Sequence, residues 1–319
     1  MAVKRYNGTS WVTEAGGVPQ STVAFRNILQ NGAFAIDQRN FGSGRTIVAG
    51  DTIANGFTVD RWYNYCTGAN VSAARVAGSV PDQYYYRFTG ATSNTAIGFG
   101  QRIEAANSNH FAGQTATLSV SLASTSLTSI TWTAYYANSA DTFGTLASPT
   151  RTSIATGTFT INSTLTRYSA NISVPSAAVT GIEIVFTSGA LVASQTLTFS
   201  NIQFELGASA TSFERRPIST ELALCQRYYE SINFPLHYAN PASGTDIYLP
   251  VYFKVTKRAT PSVSLPSSTN AIKNTSNANA TPIYAWAAVS ASTDSFGIYA
   301  GSNSILAINA GVATASVEL

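Results

Sequence analysis

Apolar and polar residues alternate along many short segments of this chain, and turn-forming residues separate these segments. In segments 118–122 and 182–186 the alternation places apolar side chains on one face, as in half-buried β-strands. Short strands at regular intervals predict an antiparallel β-sandwich, and their number favours a jelly roll with no helix between the strands. The predicted strands are 57–65, 84–88, 97–103, 115–122, 130–136, 157–161, 167–174, 181–186 and 195–206.

One segment, 217–231, departs from the β pattern and predicts a helix. Pro217 suits the start of a helix, and Ser219 or Thr220 can cap it. Glu221 lies in the first turn, where a negative charge meets the positive end of the helix dipole. An apolar stripe at roughly helical spacing follows, formed by Leu222, Leu224, Cys225, Tyr228 and Tyr229.

The helix is predicted to connect a jelly-roll domain, residues 25–216, to a smaller C-terminal β domain, residues 232–319. The clearest strand of the smaller domain is 247–255, and Pro250 places it at a sheet edge or a bulge. Further strands are predicted at 262–265, 283–289, 296–299, 305–308 and 313–317, with a polar loop at 266–282. We expect so small a unit to complete its buried surface with neighbouring copies.

Alternation divides segment 247–255 into two faces. One face is apolar, with Ile247, Leu249, Val251, Phe253 and Val255; the other carries Tyr248, Tyr252 and Lys254.

Residues 1–24 are predicted to form an attachment hairpin and a linker. Segment 4–12 contains two short strands around an Asn-Gly pair, which is a strong hairpin signal. Because a lone hairpin is marginally stable in water, it needs a partner surface. Its candidate attachment residues are Tyr6, Asn7, Gly8 and Trp11. The alternative is an N-terminal strand that folds onto the main domain.

The composition indicates a protein whose surface is polar without being charged. Only 10% of the 319 residues are charged, so hydroxyl and amide groups must provide much of the solubility. The net charge of +3 is spread without a basic run, which is too little for nucleic-acid binding. Such a surface suits an extracellular or virion-exposed β protein.

Two features bear on location. Cys66 and Cys225 fall in different predicted elements, so we expect buried free thiols and no disulfide. No apolar run is long enough to cross a membrane, and the first residues lack the apolar core of a signal peptide. We therefore expect synthesis in a cytoplasm without membrane insertion, even if the protein later acts outside a cell.

The sequence offers little support for an enzyme. His110, His237 and the two cysteines have no metal-ligand spacing, and no phosphate-binding or dinucleotide-binding motif is present. Glycoside cleavage needs only two nearby carboxylates. The acids considered, Glu104, Asp141, Glu183 and Glu205, form no recognisable pair. We expect no catalytic residues, no metal and no cofactor.

Binding is better supported, because 16 Tyr and 16 Phe occur beside many Asn, Gln, Ser and Thr residues. Such a mixture recognises sugars by ring stacking and by hydrogen bonds to hydroxyls. Three clusters are candidates: Trp132, Tyr135 and Tyr136 with Asn138 and Asp141; Tyr84, Tyr85 and Tyr86; and Tyr248 and Tyr252 with Lys254. For each cluster the alternative is packing in the core or at a subunit interface. Trp62 is expected in the core, with Asp60 and Arg61 fixing a turn or a strand end.

Two motifs resemble proteins of tailed bacteriophages. The run Phe-Glu-x-Arg-Pro with Glu-Leu-Ala-Leu-Cys-Gln-Arg-Tyr-Tyr, at 213–229 after a predicted strand, resembles a signature of tail-fibre and minor structural proteins. The run Lys-Arg-Tyr-Asn-Gly-x-x-Trp-Val at 4–12 resembles N-terminal modules that dock a fibre onto the tail or a neighbouring chain. The resemblance implies a homotrimer and tail or baseplate proteins as partners, although no heptad repeat supports a trimer independently.

The ends of the predicted jelly roll resemble the first and last strands of carbohydrate-binding modules. The matching segments are 27–34, 60–62 and 199–205. The resemblance implies a calcium site held by acidic side chains at this corner. Because Ala33, Ser200 and Asn201 stand at those positions, charge that calcium requires is missing, and we expect no calcium or only weak binding.

The leading hypothesis is a virion fibre protein that attaches to host surface polysaccharide by multivalent, non-covalent binding. A second hypothesis is a capsid-decorating fibre or tail-assembly component without a receptor role. A third is a carbohydrate-active accessory module or a weak glycan hydrolase.

Overall fold

The computed structural model describes residues 3–6, 11–14, 25–234, 237–239, 247–265, 272–274, 286–300, 306–308 and 311–319. Within these residues the chain is mostly antiparallel β-structure, which confirms the predicted all-β class. No helix of the described part is long and apolar enough to span a membrane.

The first two strands, β1 (Val3–Tyr6) and β2 (Trp11–Glu14), pair antiparallel with Tyr6 opposite Trp11. This pairing is the one that the predicted hairpin requires. Asn7 and Gly8, the residues predicted for its turn, lie outside the described residues.

Two six-stranded antiparallel sheets form the jelly roll. Sheet one has the order β11-β10-β13-β8-β5-β4, and sheet two the order β12-β9-β14-β7-β6-β3. The strands are β3 (Arg45–Ile47), β4 (Phe57–Val59), β5 (Trp62–Thr67), β6 (Val71–Ala77), β7 (Tyr84–Thr89), β8 (Ala96–Ile103), β9 (Thr115–Ser124), β10 (Ser129–Ala137), β11 (Arg151–Thr160), β12 (Thr166–Ser173), β13 (Ile182–Ser188) and β14 (Thr196–Leu206). The predicted jelly-roll sandwich is confirmed.

Aromatic rings fill the space between the two sheets. Phe99 of sheet one stacks on Trp62 at 4.8 Å and on Tyr86 of sheet two at 5.1 Å between ring centroids. Trp62 is fully buried, as predicted. Burying a large apolar side chain contributes about 1.5–3 kcal/mol, so this cluster is a major part of what holds the sheets together.

The structure corrects several predicted strands. Segment 57–65 is two strands, because Asp60 and Arg61 form a turn in which Arg61 has a φ of 72°. Strands β3 and β6 were not predicted, since β3 has only three residues and β6 is rich in Ala, which has weak β propensity. Strand β11 begins six residues before the predicted start at 157.

The expectation of no helix inside the jelly roll was wrong. A single helical turn, α1 (Ala105–Ser108), follows β8, and short 3-10 turns lie at Ile53–Asn55 and Asn109–Phe111. Asp141 accepts the Ala105 N–H at 2.7 Å, which satisfies one donor at the start of α1.

The predicted helix exists but is shorter than 217–231. Helix α2 (Ile218–Gln226) has Pro217 at its N-cap position with no capping side chain, so the predicted caps Ser219 and Thr220 lie inside the helix. Glu221 is in the first turn, as expected. The helix ends early because Tyr229 begins a strand and pairs with Ser316.

The residues after α2 form three three-stranded antiparallel sheets, with the orders β15-β23-β18, β16-β22-β19 and β17-β21-β20. The strands are β15 (Tyr229–Phe234), β16 (His237–Ala239), β17 (Ile247–Tyr252), β18 (Ser262–Ser264), β19 (Ile272–Asn274), β20 (Trp286–Val289), β21 (Ser295–Ala300), β22 (Leu306–Ile308) and β23 (Gly311–Ser316). We call these sheets the distal unit. The predicted polar loop 266–282 contains β19, and the rest of it lies outside the described residues.

Buried charges join the jelly roll to the segment after α2. Arg61, buried in the jelly roll, stacks on the Tyr228 ring at 3.4 Å and pairs with Glu318. Arg227 binds Glu104 through two hydrogen bonds of 3.0 and 2.9 Å. The Arg-Tyr-Tyr run therefore docks onto the jelly roll and does not act as a free connector.

Both cysteines are buried and free, as predicted. Burial raises the pKa of the Cys66 thiol and raises that of Cys225 well above its ordinary value. Both side chains are therefore neutral packing residues at neutral pH.

Candidate functional site

The third candidate cluster forms an exposed surface on the distal unit, which we call the distal tyrosine face. It consists of Tyr248 and Tyr252 of β17, Lys254 just beyond it, and Tyr299 of β21. Tyr248 is 64% exposed and Tyr252 is 72% exposed. Val251, between them in register, is buried against Phe296 and Ile298. The predicted alternation is confirmed from Tyr248 to Tyr252, but the strand ends at Tyr252 and not at the predicted Val255.

The shape of the distal tyrosine face follows from the strand between its two exposed rings. Strand β17 is at the edge of its sheet, as the presence of Pro250 predicted. Pro250 pairs with Gly297, so no side chain of the neighbouring strand rises between the tyrosines. At about 3.3 Å per residue, the two tyrosines are about 13 Å apart along the strand.

A third ring widens this surface. Tyr299 is directly opposite Tyr248, and their ring centroids are 5.2 Å apart at an interplanar angle of 52°. The face thus offers ring surfaces, phenolic hydroxyls and the exposed ammonium of Lys254 along one edge of the protein.

The first candidate cluster is mostly core. Trp132 is 6% exposed and packs against Phe159, and its indole lies directly over Gly157. Tyr136 is half-buried against the same core. Tyr135 alone of the three points to the outer face of sheet one, where it packs beside Val185.

Tyr135 belongs to a surface that the sequence did not reveal, the jelly-roll tyrosine face, formed by Tyr65, Tyr135 and Arg151. The Arg151 guanidinium lies over the Tyr135 ring at 4.1 Å. The Tyr65 ring lies across Gly98, occupying the space of a Cβ at that position. Glycine inside a strand often marks close approach of another group, and this was the available signal.

A buried carboxylate fixes this face from below. Glu183 accepts hydrogen bonds from Tyr63 and Arg102, both at 2.7 Å, and from Arg151. Burial raises the pKa of the Tyr63 hydroxyl, with the Glu183 charge as the next cause, so Tyr63 remains a proton donor. The network holds Arg151, and through it Tyr135, in a fixed position.

Asn138 and Asp141 lie in the loop after β10, and their contacts stabilise that loop. Asn138 is exposed and accepts a hydrogen bond of 2.8 Å from the Thr152 hydroxyl. Asp141 has a φ of 58°, binds α1, and lies 4.0 Å from Arg258. The structure gives these two residues roles in shaping the loop.

The second candidate cluster divides across a strand. Tyr86 is buried in the core, and burial raises the pKa of its hydroxyl. Tyr84 is half-buried under the Arg75 guanidinium, with 4.2 Å between that group and the ring centroid. Tyr85 is half-buried on the outer face of sheet two, where its hydroxyl accepts the Ser79 N–H at 3.0 Å. The exposed ring that alternation suggested is Tyr85, which faces outward but is half-buried.

The acids considered for catalysis have structural partners. Glu205 accepts hydrogen bonds from Gln203 and from the backbone and hydroxyl of Thr211. Burial opposes ionisation of Glu104, but hydrogen bonds from Arg227 hold its pKa below the ordinary value. Glu183 is bound by two arginines. Among the described residues no group of three or more His, Cys, Asp or Glu could hold a metal ion.

An arginine occupies the corner where the family resemblance implies calcium. Arg216 donates to the carbonyl oxygens of Asn27 and Leu29 and pairs with Glu214 and Glu221. The carbonyl and carboxylate oxygens of this corner thus bind a guanidinium, which supplies the positive charge there.

Comparison with known proteins gives similarity in structure alone. No family model matches the sequence, and no curated protein matches it. The enzymatically active domain of tailspike protein 4 from bacteriophage CBA120 is 16% identical with a TM-score of 0.35; the match covers 57% of this chain and 22% of that one. A family 4 carbohydrate-binding module is also 16% identical, with a TM-score of 0.33 and coverages of 56% and 98%.

A third solved structure is a family 11 carbohydrate-binding module from Clostridium thermocellum in complex with a mixed-linked β-1,3-1,4 tetrasaccharide. It is 16% identical with a TM-score of 0.31, and the match covers 47% of this chain and 91% of that one. Because the identities and TM-scores are low, the function of this chain rests on its own residues.

Proposed function

We propose that this chain is a virion fibre protein of a tailed bacteriophage that attaches to host surface glycans without cleaving them. The observation that carries the proposal is the distal tyrosine face, where Tyr248 and Tyr252 are 64% and 72% exposed. Large exposed rings grouped on one face are typical of interaction sites.

The chemistry of the face fits a sugar. A pyranose ring has an apolar C–H face and a rim of hydroxyls, and tyrosine offers both a ring face and a hydroxyl. Because the two rings are about 13 Å apart, a glycan chain of more than one residue can contact both. Lys254 adds a donor beside them.

Attachment by such a face depends on several copies. Stacking on one or two exposed rings is weak, but linked copies raise the effective concentration and hence the overall affinity by about 10²–10⁴. We propose a homotrimer, with residues 1–24 docking to tail or baseplate proteins; the phage signatures at 4–12 and 213–229 support this assignment.

Binding without cleavage is part of the proposal. The acids Glu104, Glu183 and Glu205 are held by arginines or by hydroxyl and amide groups. An acid catalyst needs a carboxyl group that is free to donate its proton to the leaving group. These three residues act in the fold.

The test is attachment of the purified protein to host cells and to isolated host lipopolysaccharide. We expect the double variant Tyr248→Ala, Tyr252→Ala to lose most attachment, while Phe41→Ala, which removes a 77% exposed ring of the jelly roll, keeps it. Normal attachment by the double variant contradicts the proposal. Binding to virion proteins alone favours the structural hypothesis, and release of reducing sugar favours the hydrolase.

A further inference from the structure

A second surface of the jelly roll has the chemistry of an anion site. On the outer face of sheet two, Tyr85 and Arg87 of β7 line a cavity of about 230 Å³ together with Thr198 of β14. Neighbouring residues Tyr86 and Phe88 are buried in the core, so Tyr85 and Arg87 point outward.

Arg87 has unused hydrogen-bonding capacity. Its Nε donates to the Thr198 hydroxyl at 3.3 Å. Within the described residues no carboxylate lies at ion-pair distance from Arg87, in contrast to Arg102 and Arg151, which bind Glu183. The two terminal nitrogens of a guanidinium form a fork that fits a carboxylate.

The rest of the cavity suits a sugar ring. Tyr85 and Leu165 provide apolar surface, and the hydroxyls of Ser163, Thr196 and Thr198 provide donors and acceptors. Arg87 is the only charged residue among those that line it. The volume lies below the ~300 Å³ at which pockets for drug-sized ligands begin, so a single ring fits best.

Backbone hydrogen bonds hold the cavity walls in place. The connection after β9 is tied to β14 by a bond of 3.1 Å from the Thr125 N–H to the Thr196 carbonyl. The reverse bond, from the Thr196 N–H to the Thr125 hydroxyl, is 2.8 Å. The connection after β11 is tied by a bond of 2.9 Å from the Ser124 N–H to the Asn162 carbonyl. A site on fixed elements needs little ordering when a ligand binds.

We propose that this cavity binds an acidic sugar, with Arg87 holding its carboxylate and Tyr85 contacting its ring. The proposal rests on the proposed function, which it deepens by naming a class of glycan. The distal tyrosine face would contact neutral parts of the polysaccharide, and the Arg87 cavity would select chains that carry uronic acids.

The test compares D-glucuronate with D-glucose, which differ in the group at C6, by NMR titration of the full chain at low salt. We expect glucuronate to bind about 10-fold more tightly, as a charge-assisted bidentate contact allows, and this preference to weaken in 0.5 M NaCl. Arg87→Gln should abolish the preference. Arg45→Gln, which removes an equal charge at an exposed position of sheet two, should keep it.

Three results would overturn the proposal: equal binding of the two sugars, an unchanged preference in Arg87→Gln, or displacement of glucuronate by an equal concentration of sulfate, which would reveal a plain anion site. Unchanged thermal unfolding of Arg87→Gln verifies that the variant is folded.

The two proposals fail separately. If Arg87→Gln keeps the preference for glucuronate while the distal double variant loses cell attachment, the acidic-sugar site is refuted and the proposed function stands. If Arg87→Gln loses the preference while the distal double variant attaches normally, the acidic-sugar site stands and the distal tyrosine face is refuted.

Discussion

Single residues at the start of β5 show how this fold tolerates buried charge. Asp60 is fully buried and accepts two hydrogen bonds from Gln38, one of 2.8 Å between the side chains and one of 2.6 Å from the backbone. The neighbouring Arg61 is also buried and reaches Glu318. The sequence predicted that these residues fix a turn; the burial of Arg61 depends on Glu318, which is more than 250 positions away and could not be foreseen.

The first expectation concerns pH. Burial raises the pKa of the Asp60 carboxyl from 3.8 to about 6, so between these values the folded state binds a proton that the unfolded state has released. The stabilisation from this proton is complete below about pH 4 and is lost as pH rises through 6. We therefore expect Asp60 to lower the free energy of unfolding by up to about 1.4 kcal/mol per pH unit within this window.

Urea unfolding at half-unit steps from pH 4 to 7 provides the measurement. Asp60→Asn cannot titrate, so the difference between the wild type and this variant isolates one carboxyl group from the others. Parallel pH profiles for the two proteins would show that Asp60 keeps an ordinary pKa in the folded state.

Among the elements, β8 shapes the outer face of sheet one through two glycines. Gly98 leaves room for the Tyr65 ring, and Gly100 leaves room for Tyr63, whose hydroxyl oxygen would be 2.5 Å from an added Cβ. Tyr63 is fully buried and bound to Glu183, so it cannot move aside as a surface ring could.

We expect Gly100→Ala to lower the free energy of unfolding by about 1–3 kcal/mol, as overpacking of a filled site does. Gly189→Ala is the matched control, because an added Cβ there meets nothing within 4 Å; it should change stability by less than about 0.5 kcal/mol. Chemical denaturation measures the free energy of unfolding of both variants. Equal values would mean that the Tyr63 side chain moves aside without loss of stability.

For the whole molecule, the contact between the jelly roll and the distal unit is built from charges. Glu318 follows β23 and pairs with both Arg39 and Arg61 of the jelly roll. The side chains of Glu318 and Arg61 are 7% and 2% exposed. A pair this buried stabilises poorly compared with apolar packing, but loss of one partner leaves an uncompensated charge.

We expect Glu318→Ala to cost about 3–5 kcal/mol, because Arg61 would remain buried without its carboxylate. Scanning calorimetry should show the unfolding transitions of the two units moving apart, since the contact between them is weakened. Arg45→Ala removes an exposed charge of the jelly roll and should leave the thermogram unchanged. A single unshifted transition for Glu318→Ala would mean that the junction does not depend on this residue.

How much the sequence could predict depends on the range of the interactions involved. The existence of strands such as β9 and β13, and the edge position of β17, follow from local pattern and were predicted. The expectation that β9 and β13 are half-buried was wrong, because residues on both faces of each strand are buried. Strand β6, rich in Ala, carries a weak local signal and was missed. The jelly-roll tyrosine face joins β5, β10 and β11, which only the strand order brings together, so it could not be read from spacing.

Pro250 has a consequence for copies of this chain at high local concentration. An edge strand can ordinarily pair with a strand of another molecule. Proline has no N–H to donate, and its ring obstructs such pairing. Two copies that lie side by side therefore cannot pair through their β17 strands. Tyr248 and Tyr252, which flank the proline, therefore remain accessible at high local density. An edge strand that paired with another copy would have covered them.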